Sequence, residues 1–346
     1  MDRFIPDIRE SIKNISVGSK VYFSDKRYSA VAFSDQNFHK ISGISGSCPR
    51  IVFVDGGNAE IIASSHISLS IVRVCAVLFQ DNKKKKGIRE SFSLLTTARL
   101  EDRLFYSSRI FGDNRIQESD LHISSTDPTI KQGIHRASIS SVANMARRFA
   151  ELALAKDCIK SFGLEKGDII LLDGTLQASY INETRYLNEL YEAARREGVI
   201  VAALAKTSSL LTDSGNSAQL SVLRLANMDY PWFYFPVVNI THPGHHADLF
   251  FSKLHGRSRF VFRIEIHSKS ERVLDSFFSS LADNSKDPVF FGYPYGLIVA
   301  DRLARISNYE LSTIRSRFRT QLGKDSKELF DAESTSDAHS ILDNIG

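Results

Sequence analysis

The segment most informative about the fold is Ile-Ile-Leu-Leu at residues 169–172, followed by Asp-Gly at 173–174. A short run without a polar position is typical of a strand that is buried on both faces. An amphipathic segment follows at 183–197, and Gly198 closes it as a helix C-terminal stop. A second apolar run occupies 199–205. The order strand, helix, strand predicts two parallel strands joined by a crossover helix.

Upstream of this unit, the sequence predicts an antiparallel meander. Three β-rich segments at 51–54, 59–65 and 70–80 are separated by turn residues. The lysine-rich segment 82–87 is interpreted as a turn, and the polar segment 114–132 as a loop.

The remaining elements complete a layered α/β domain. Apolar residues recur at helical spacing in 138–160 and predict a helix before the strand–helix–strand unit. Beyond that unit, two β runs at 247–254 and 259–267 precede predicted helices at 270–281 and 294–306. A mixed sheet flanked by helices accommodates this order, which matches the ribonuclease-H-like α/β arrangement with insertions. A fold alone does not define a function.

Composition places the chain among globular proteins: 42% of its 346 residues are hydrophobic and 24% are charged. We expect no membrane span, because no run of about 18 apolar residues occurs. The N-terminus lacks a signal-peptide pattern. The three cysteines, Cys48, Cys75 and Cys158, fit neither a zinc site nor a disulfide framework. These features predict a reducing, cytoplasmic environment.

Charge is distributed unevenly about a formal net value of +4. Residues 320–346 hold six acidic residues and two lysines, which predicts an acidic and disordered tail. Basic residues cluster at 83–89, 147–148, 195–196 and 315–319. Such clusters suit a polyanionic partner, although solvated surface charge is the favoured interpretation of any single cluster.

Two segments repeat one pattern: Val-Phe-Val-Asp-Gly at 52–56 and Leu-Leu-Asp-Gly at 171–174. Each is interpreted as an apolar strand that ends in an aspartate, Asp55 or Asp173. If the strands are neighbours, both carboxylates emerge at one edge of the sheet. Adjacent carboxylates repel each other and favour binding a proton or a cation. Their oxygens suit Mg²⁺ or Mn²⁺, which promote phosphodiester hydrolysis. The competing interpretation is that each Asp-Gly is only a turn.

Six ordered motifs resemble those of the NurA nuclease family, and together they cover about residues 50–306. They are Val-Asp-Gly-Gly at 54–57, Leu-Asp-Gly-Thr-Leu at 172–176, Ala-Lys-Thr-Ser at 205–208, Phe-Arg-Ile-Glu-Ile at 262–266, Gly-Tyr-Pro-Tyr-Gly-Leu at 292–297 and Ala-Asp-Arg-Leu-Ala at 300–304.

The resemblance implies a manganese-dependent DNA nuclease of the kind found mainly in archaea. It implies 5′→3′ exonuclease and some endonuclease activity on single- and double-stranded DNA, with two Mn²⁺ or Mg²⁺ ions in each active site. It also implies a homodimer that works with the hexameric HerA-type ATPase in DNA end resection and double-strand break repair. The expected organisation is an N-terminal arm at 1–28, a nuclease domain at 29–319 and the tail at 320–346.

The resemblance also implies a set of metal ligands. Asp55 and Asp173 match two family positions, and a glutamate on the helix before the second motif would be a third ligand. Glu151 is the candidate, although a helical wheel places it opposite the apolar face, where an ion pair with Arg147 is a sufficient explanation. Glu101 is the substitute for Glu151.

Three further catalytic candidates come from the later motifs. Asp301 stands eight residues after Tyr293, where the family often has a histidine. An aspartate still binds Mn²⁺ but is a poor proton donor at neutral pH. Lys206 follows a predicted strand and would hold the scissile phosphate or the attacking water, or else be a surface lysine. Tyr293 would contact a base or a phosphate, or else pack in the core.

Candidate DNA contacts are Arg263, His242, His245 and Lys206. Arg263 and Glu265 share one face of a strand and would form a cross-strand pair or line a DNA channel. His242 and His245 lie in a loop that also holds His246, which predicts a phosphate- or DNA-facing segment in preference to a zinc site.

The sequence is compatible with three classes of function. The first is a nuclease, and the second is a non-catalytic DNA-binding scaffold that docks a motor. A third, a sugar or acetate kinase of the actin-like fold, requires a duplicated half with a phosphate loop, which the sequence does not show. A scaffold has no need of both Asp55 and Asp173, so the first is favoured. The N-terminal segment and residues 315–319 are candidates for dimer or motor contacts.

Overall fold

The computed structural model describes residues 4, 5, 7, 8, 18–43, 48–131, 133–268 and 274–323. The strands are β1 (Tyr28–Ala30), β2 (Phe38–Lys40), β3 (Ile51–Ala63), β4 (Ile67–Gln80), β5 (Lys83–Leu100), β6 (Leu104–Phe111), β7 (Ile123–Ser124), β8 (Ile169–Asp173), β9 (Ile200–Ala205), β10 (Trp232–Tyr234), β11 (Val238–Ile240), β12 (Ala247–Lys253) and β13 (Phe262–His267). The main helices are α1 (Ser141–Ser161), α2 (Glu183–Glu197), α3 (Ala218–Leu225), α4 (Leu274–Asn284), α5 (Tyr295–Ala304) and α6 (Asn308–Leu322).

One mixed sheet joins eleven of the described strands in the order β2-β10-β12-β13-β9-β8-β3-β4-β5-β6-β7. Strand β8 runs parallel to both of its neighbours, β3 and β9. The segment β5-β4-β3 is antiparallel. The predicted ribonuclease-H-like sheet flanked by helices is therefore confirmed, including the unit in which α2 connects β8 to β9.

Strand β8 is buried on both faces, as its apolar run predicts. Ile170 and Leu172 pack in the core layer that contains α1 and α2, whereas Ile169 and Leu171 pack in the layer that contains α4 and α5. Each such side chain stabilises the fold by about 1.5–3 kcal/mol when it is fully buried. The burial on both sides explains why the first polar residue of the run is Asp173, at the strand end.

The antiparallel part of the sheet is more extensive than the sequence predicted. Predicted segments 51–54 and 59–65 form one strand, β3, which continues to Ala63 through an irregularity between Glu60 and Ile62. Residues 83–86 are not a turn but the start of β5, because the reversal is completed by Asp81 and Asn82 at positive φ. A two-residue turn with positive φ is the favoured hairpin connection.

Several other expectations need correction or lie outside the described residues. The predicted loop at 114–132 contains a short 3-10 helix, Glu118–Leu121, and strand β7. The arginines of 315–319 lie on α6, which the sequence did not predict. Most of residues 1–17 and all of the tail from residue 324 lie outside the described part. Among the described helices, none has both the length and the apolarity to cross a bilayer.

Candidate active site

Three aspartates from separate elements meet beside the central parallel strands. Asp55 lies on β3, Asp173 ends β8, and Asp301 lies on α5. Val54 and Leu172 are paired in register, so the aspartates that follow them are neighbours. One oxygen from each of the three carboxylates lies within 4.8 Å of the others. The prediction that Asp55 ends a strand is wrong, because β3 continues for eight residues beyond it.

The Asp55 carboxylate is buried, with 4% of its surface exposed. Burial raises its pKa to about 8, and the negative charges of Asp173 and Glu151 act in the same direction. The backbone N–H of Gly56 donates a hydrogen bond of 2.8 Å to Asp55 Oδ1. Binding of a proton or a cation would therefore stabilise the buried Asp55 carboxylate.

Lys206 brings positive charge into this acidic cluster. It follows the last residue of β9, and its Nζ atom lies 2.8 Å from Asp173 Oδ2, 2.9 Å from Asp301 Oδ1 and 3.8 Å from Asp55 Oδ2. Burial acts to lower the pKa of Lys206, but hydrogen bonds to Asp173 and Asp301 outweigh it and the pKa is raised. The ammonium is therefore charged and neutralises part of the cluster.

The donor set suits a hard divalent cation. Carboxylate oxygens are the ligands that Mg²⁺ and Mn²⁺ prefer. The raised pKa of Asp55 shows that Lys206 alone does not compensate the buried negative charge. Asp55, Asp173 and Asp301 are thus the residues that would hold such an ion.

Glu151 lies beside this cluster and not on an exposed face. It is 4% exposed on α1, and a Cβ atom added at Gly56 would lie 2.5 Å from its Oε1 atom. The predicted ion pair between Arg147 and Glu151 is present, and Arg147 Nη1 lies 3.0 Å from Glu151 Oε1. The same Arg147 nitrogen also donates a hydrogen bond to the Gly56 carbonyl. Burial raises the pKa of Glu151 although Arg147 and Arg148 oppose this effect. The helical wheel was misleading because α1 is buried on most of its surface.

The loop after β8 is fixed from two sides. The Leu176 N–H donates to Glu265 Oε2 at 2.7 Å, and Arg148 Nη2 donates to the Thr175 carbonyl at 2.6 Å. Arg148 also contacts buried Glu183, whose carboxylate accepts the N–H groups of Ser179 and Tyr180. The loop borders a polar cavity of about 400 Å³. Its lining includes Arg147, Glu151, Asp173, Gln177, Tyr180 and Lys206.

Tyr293 is buried next to the three aspartates. Burial raises its pKa, and the charges of Asp173, Asp55 and Asp301 raise it further. Its hydroxyl has no hydrogen-bond partner among the described residues. The side chain is thus a neutral phenol with a free donor next to the acidic cluster, in addition to its packing against Phe262 and Phe290.

The candidate DNA contacts other than Lys206 are less exposed than predicted. His245 is 1% exposed, with Nδ1 3.2 Å from the Tyr28 hydroxyl and Nε2 3.0 Å from Glu265 Oε2. The prediction of a DNA-facing side chain is wrong for His245. Arg263 donates from Nε to Glu265 Oε1 at 2.7 Å, within one strand and not across strands. His242 accepts the Gly244 N–H at its Nδ1 atom.

Glu101 lies far from the acidic cluster, so it cannot replace Glu151. In the sheet register, Asp55 on β3 lies opposite Cys75 on β4, and Cys75 lies opposite Arg89 on β5. Glu101 lies beyond the far end of β5, roughly 40 Å along the strand from Arg89 at about 3.3 Å per residue. There it is 3.9 Å from His122.

Sequence reasoning missed the residues that support the site. The sequence pattern places Arg148 and Glu183 among the solvent-facing charges of amphipathic helices. In the structure both side chains are buried. Glu265 was noted only as a partner of Arg263, although it also anchors the loop that follows Asp173. The sequence indicates such a role for Glu183 alone, because it is an acidic residue at the start of a helix. A carboxylate in that position binds free backbone N–H groups.

Comparisons with known proteins identify the family of the chain. A family model described as the NurA domain matches residues 49–306. No curated protein sequence matches significantly. The NurA nuclease from Sulfolobus solfataricus is 17% identical, with a TM-score of 0.52, over 94% of this chain and 98% of that chain.

Two further solved structures are more distant. A NurA crystal structure with manganese is 9% identical, with a TM-score of 0.46, over 82% of this chain and 91% of that chain. Human endonuclease V is 15% identical, with a TM-score of 0.38, over 75% of this chain and 83% of that chain. At 17% identity the likeness to the Sulfolobus structure describes the fold alone. The assignment instead rests on the family model, which spans most of the sequence, and the chain belongs to the NurA family of nucleases.

Proposed function

We propose that this protein is a Mn²⁺- or Mg²⁺-dependent deoxyribonuclease that hydrolyses phosphodiester bonds. The observation that supports this most is the meeting of Asp55, Asp173 and Asp301, with carboxylate oxygens within 4.8 Å of one another. Glu151 is the fourth carboxylate of the proposed site, and this donor set is large enough for two ions. When bound, such ions supply an activated water and stabilise the leaving oxygen.

The protein's own groups would position the DNA. Lys206 is charged and 40% exposed, so it is placed to hold the scissile phosphate beside the carboxylates. Tyr293 would contribute a neutral, buried hydroxyl donor beside the carboxylates. Arg147 carries further positive charge on the wall of the polar cavity. Asp301 is half exposed and is the ligand we expect to exchange with solvent most readily.

Family membership supports finer proposals. These are 5′→3′ exonuclease and endonuclease activity, action in DNA end resection with a HerA-type hexameric ATPase, and a homodimeric assembly. Their tests are strand-polarity mapping with end-labelled DNA, co-purification with such an ATPase, and light scattering.

The competing proposal is a DNA-binding subunit that does not cut. One observation favours it: Lys206 already neutralises Asp173 and Asp301, as a structural ion pair would. The two proposals differ in whether Mn²⁺ binds. Isothermal titration with Mn²⁺ that detects binding to the wild type but not to Asp55→Ala supports the nuclease.

Substitution of Asp173 by asparagine tests the nuclease directly. Asp173→Asn preserves shape but removes one negative charge, so we expect cleavage to be lost while folding and DNA binding remain. Asp102→Asn is the matched control, because Asp102 is 74% exposed in the β5–β6 turn. Loss of binding together with cleavage would argue against the metal-site assignment.

A further inference from the structure

An aromatic surface leads from solvent to the acidic cluster. Phe260, Phe262, Phe290 and Tyr293, which we call the aromatic shelf, line a cavity of about 250 Å³ that also contacts Lys206 and Asp301. Pockets for drug-sized ligands enclose roughly 300–1,000 Å³. This smaller, mainly aromatic space suits one planar ring system next to the proposed point of cleavage.

Phe260 is the exposed member of the aromatic shelf. It is 53% exposed, whereas Phe262 and Tyr293 are each 3% exposed. Its ring lies 5.0 Å from that of Phe290 at an interplanar angle of 77°, so Phe290 supports it edge-on. A single exposed phenylalanine is common, but this one lines a cavity that also contacts Asp301 of the acidic cluster.

The backbone holds the aromatic shelf in place without a ligand. The Phe260 N–H donates to Ser258 Oγ at 3.1 Å, which fixes the segment before β13. Ser258 in turn lies against Gly292, where φ is +89° and an added Cβ would be 2.5 Å from Ser258 Oγ. The segments that carry Phe260 and Tyr293 are therefore in close contact, and little ordering is needed when a ring binds.

Basic and polar groups adjoin the aromatic shelf. Arg257 and Arg259 are exposed on either side of Ser258. Arg259 and Phe260 also line a neighbouring cavity of about 360 Å³ with Lys206 and Thr207. Aromatic rings interleaved with cationic groups are the combination that binds single-stranded nucleic acid, since bases stack on the rings while phosphates meet the charges.

We propose that Phe260 stacks on an unpaired nucleobase next to the scissile phosphate, so that the site selects unpaired nucleotides. The inference rests on the proposed nuclease function and adds its strand preference. A base within a duplex is already stacked and paired, so extracting it is unfavourable. A duplex would therefore be cut where its strands separate, whereas a single strand would need no such step.

Binding to DNA in EDTA tests the proposal without cleavage. The probes are a fluorescein-labelled oligodeoxythymidylate and an abasic strand of the same length, measured by anisotropy. We expect Phe260→Ala to weaken binding of the oligodeoxythymidylate roughly 5- to 100-fold, as loss of one base–aromatic stack predicts. Phe260→Trp should keep wild-type affinity. Phe111→Ala is the matched control, because Phe111 is 47% exposed on β6.

The abasic strand separates stacking from charge. We expect wild type and Phe260→Ala to bind it equally, because it has no base to stack. Equal losses on both probes, or no loss on the oligodeoxythymidylate, would overturn the proposal. Circular dichroism verifies that each variant is folded. Cleavage with Mn²⁺ is assayed separately, so an inactive wild type that still shows the base-dependent loss contradicts the proposed function but not the stacking role.

Discussion

The Nζ atom of Lys206 lies 2.8 Å from Oδ2 of Asp173. An ammonium thus neutralises carboxylates that also have the geometry and chemistry of a metal site. Lysine and cation would compete for the same oxygens, and the lysine would be released toward the phosphate when a cation binds. Substitution of the lysine or of the carboxylates therefore tests whether the two cations compete.

Lys206→Met should separate metal affinity from catalysis. Removal of the competing charge should tighten Mn²⁺ binding about tenfold, as a few-ångström charge interaction at a partly exposed site suggests. DNA cleavage should slow, because the phosphate loses its cationic partner. Calorimetric titration and a cleavage assay provide the two readouts. Weaker Mn²⁺ binding in the variant would show that the lysine does not compete with the cation.

Gly56→Ala should disturb the wall of the acidic cluster. The added Cβ would lie 2.5 Å from Glu151 Oε1 and 3.0 Å from Arg147 Cγ. We expect a loss of about 1–3 kcal/mol in unfolding free energy, as overpacking usually costs, together with reduced cleavage. Urea unfolding measures the first effect. Gly43→Ala is the control, since its Cβ would meet no atom of the described residues within 4 Å. Equal stabilities of the two variants would contradict this packing.

Much of the fold and the central pair of aspartates could be predicted from local pattern. The apolar run before Asp173 and the glycine after 183–197 both reflect local rules of burial and capping. Glu151 could not be placed that way, because its environment depends on packing of α1 against the sheet and on the missing side chain at Gly56. The extent of β3 was also missed, because half-buried strand residues after Asp55 alternate less clearly.

Glu265→Gln should lower stability in a pH-dependent way. Burial acts to raise the pKa of Glu265, but the charge of Arg263 and the hydrogen bond with His245 outweigh it and lower the pKa to about 2 from 4.5. A depressed pKa contributes stability that is present above pH 4.5 and lost as pH falls toward 2. The contribution is about 3 kcal/mol by linkage.

Urea titrations of wild type and Glu265→Gln across this range should therefore converge as pH falls from 4.5 toward 2. Glu189→Gln is the exposed control, with 44% of that side chain accessible, and its effect should stay within about 0.5 kcal/mol. A constant difference between wild type and Glu265→Gln at all pH values would show that the carboxylate charge is not responsible.

Asp301→Asn should be milder than Asp173→Asn. Asp301 is 51% exposed, so water can replace one of its oxygens at a bound ion, whereas Asp173 is 21% exposed and lies beside buried Asp55. We expect about tenfold weaker Mn²⁺ binding and partial cleavage for Asp301→Asn. Metal titration and initial cleavage rates measure this order. Complete inactivity of Asp301→Asn with intact metal binding would instead assign Asp301 a role in proton transfer.

The aromatic shelf illustrates the limit of sequence reasoning most clearly. In the sequence alone, Phe260 is an apolar residue before a predicted strand, and Tyr293 is a tyrosine in a predicted turn. Their common cavity arises only because β13 and the start of α5 converge on Lys206. Residues that are distant in the sequence and meet only in the fold produce no periodic pattern of residue types.

In the proposed nuclease, carboxylates hold a cation that promotes DNA cleavage. The most direct measurement is degradation of end-labelled linear DNA with Mn²⁺, with Mg²⁺ and with EDTA, for wild type and Asp55→Ala. We expect metal-dependent degradation by wild type, none in EDTA, and none by the variant with either metal. Degradation that persists in EDTA or in Asp55→Ala would contradict it, as would the absence of cleavage by wild type even when a HerA-type ATPase is added.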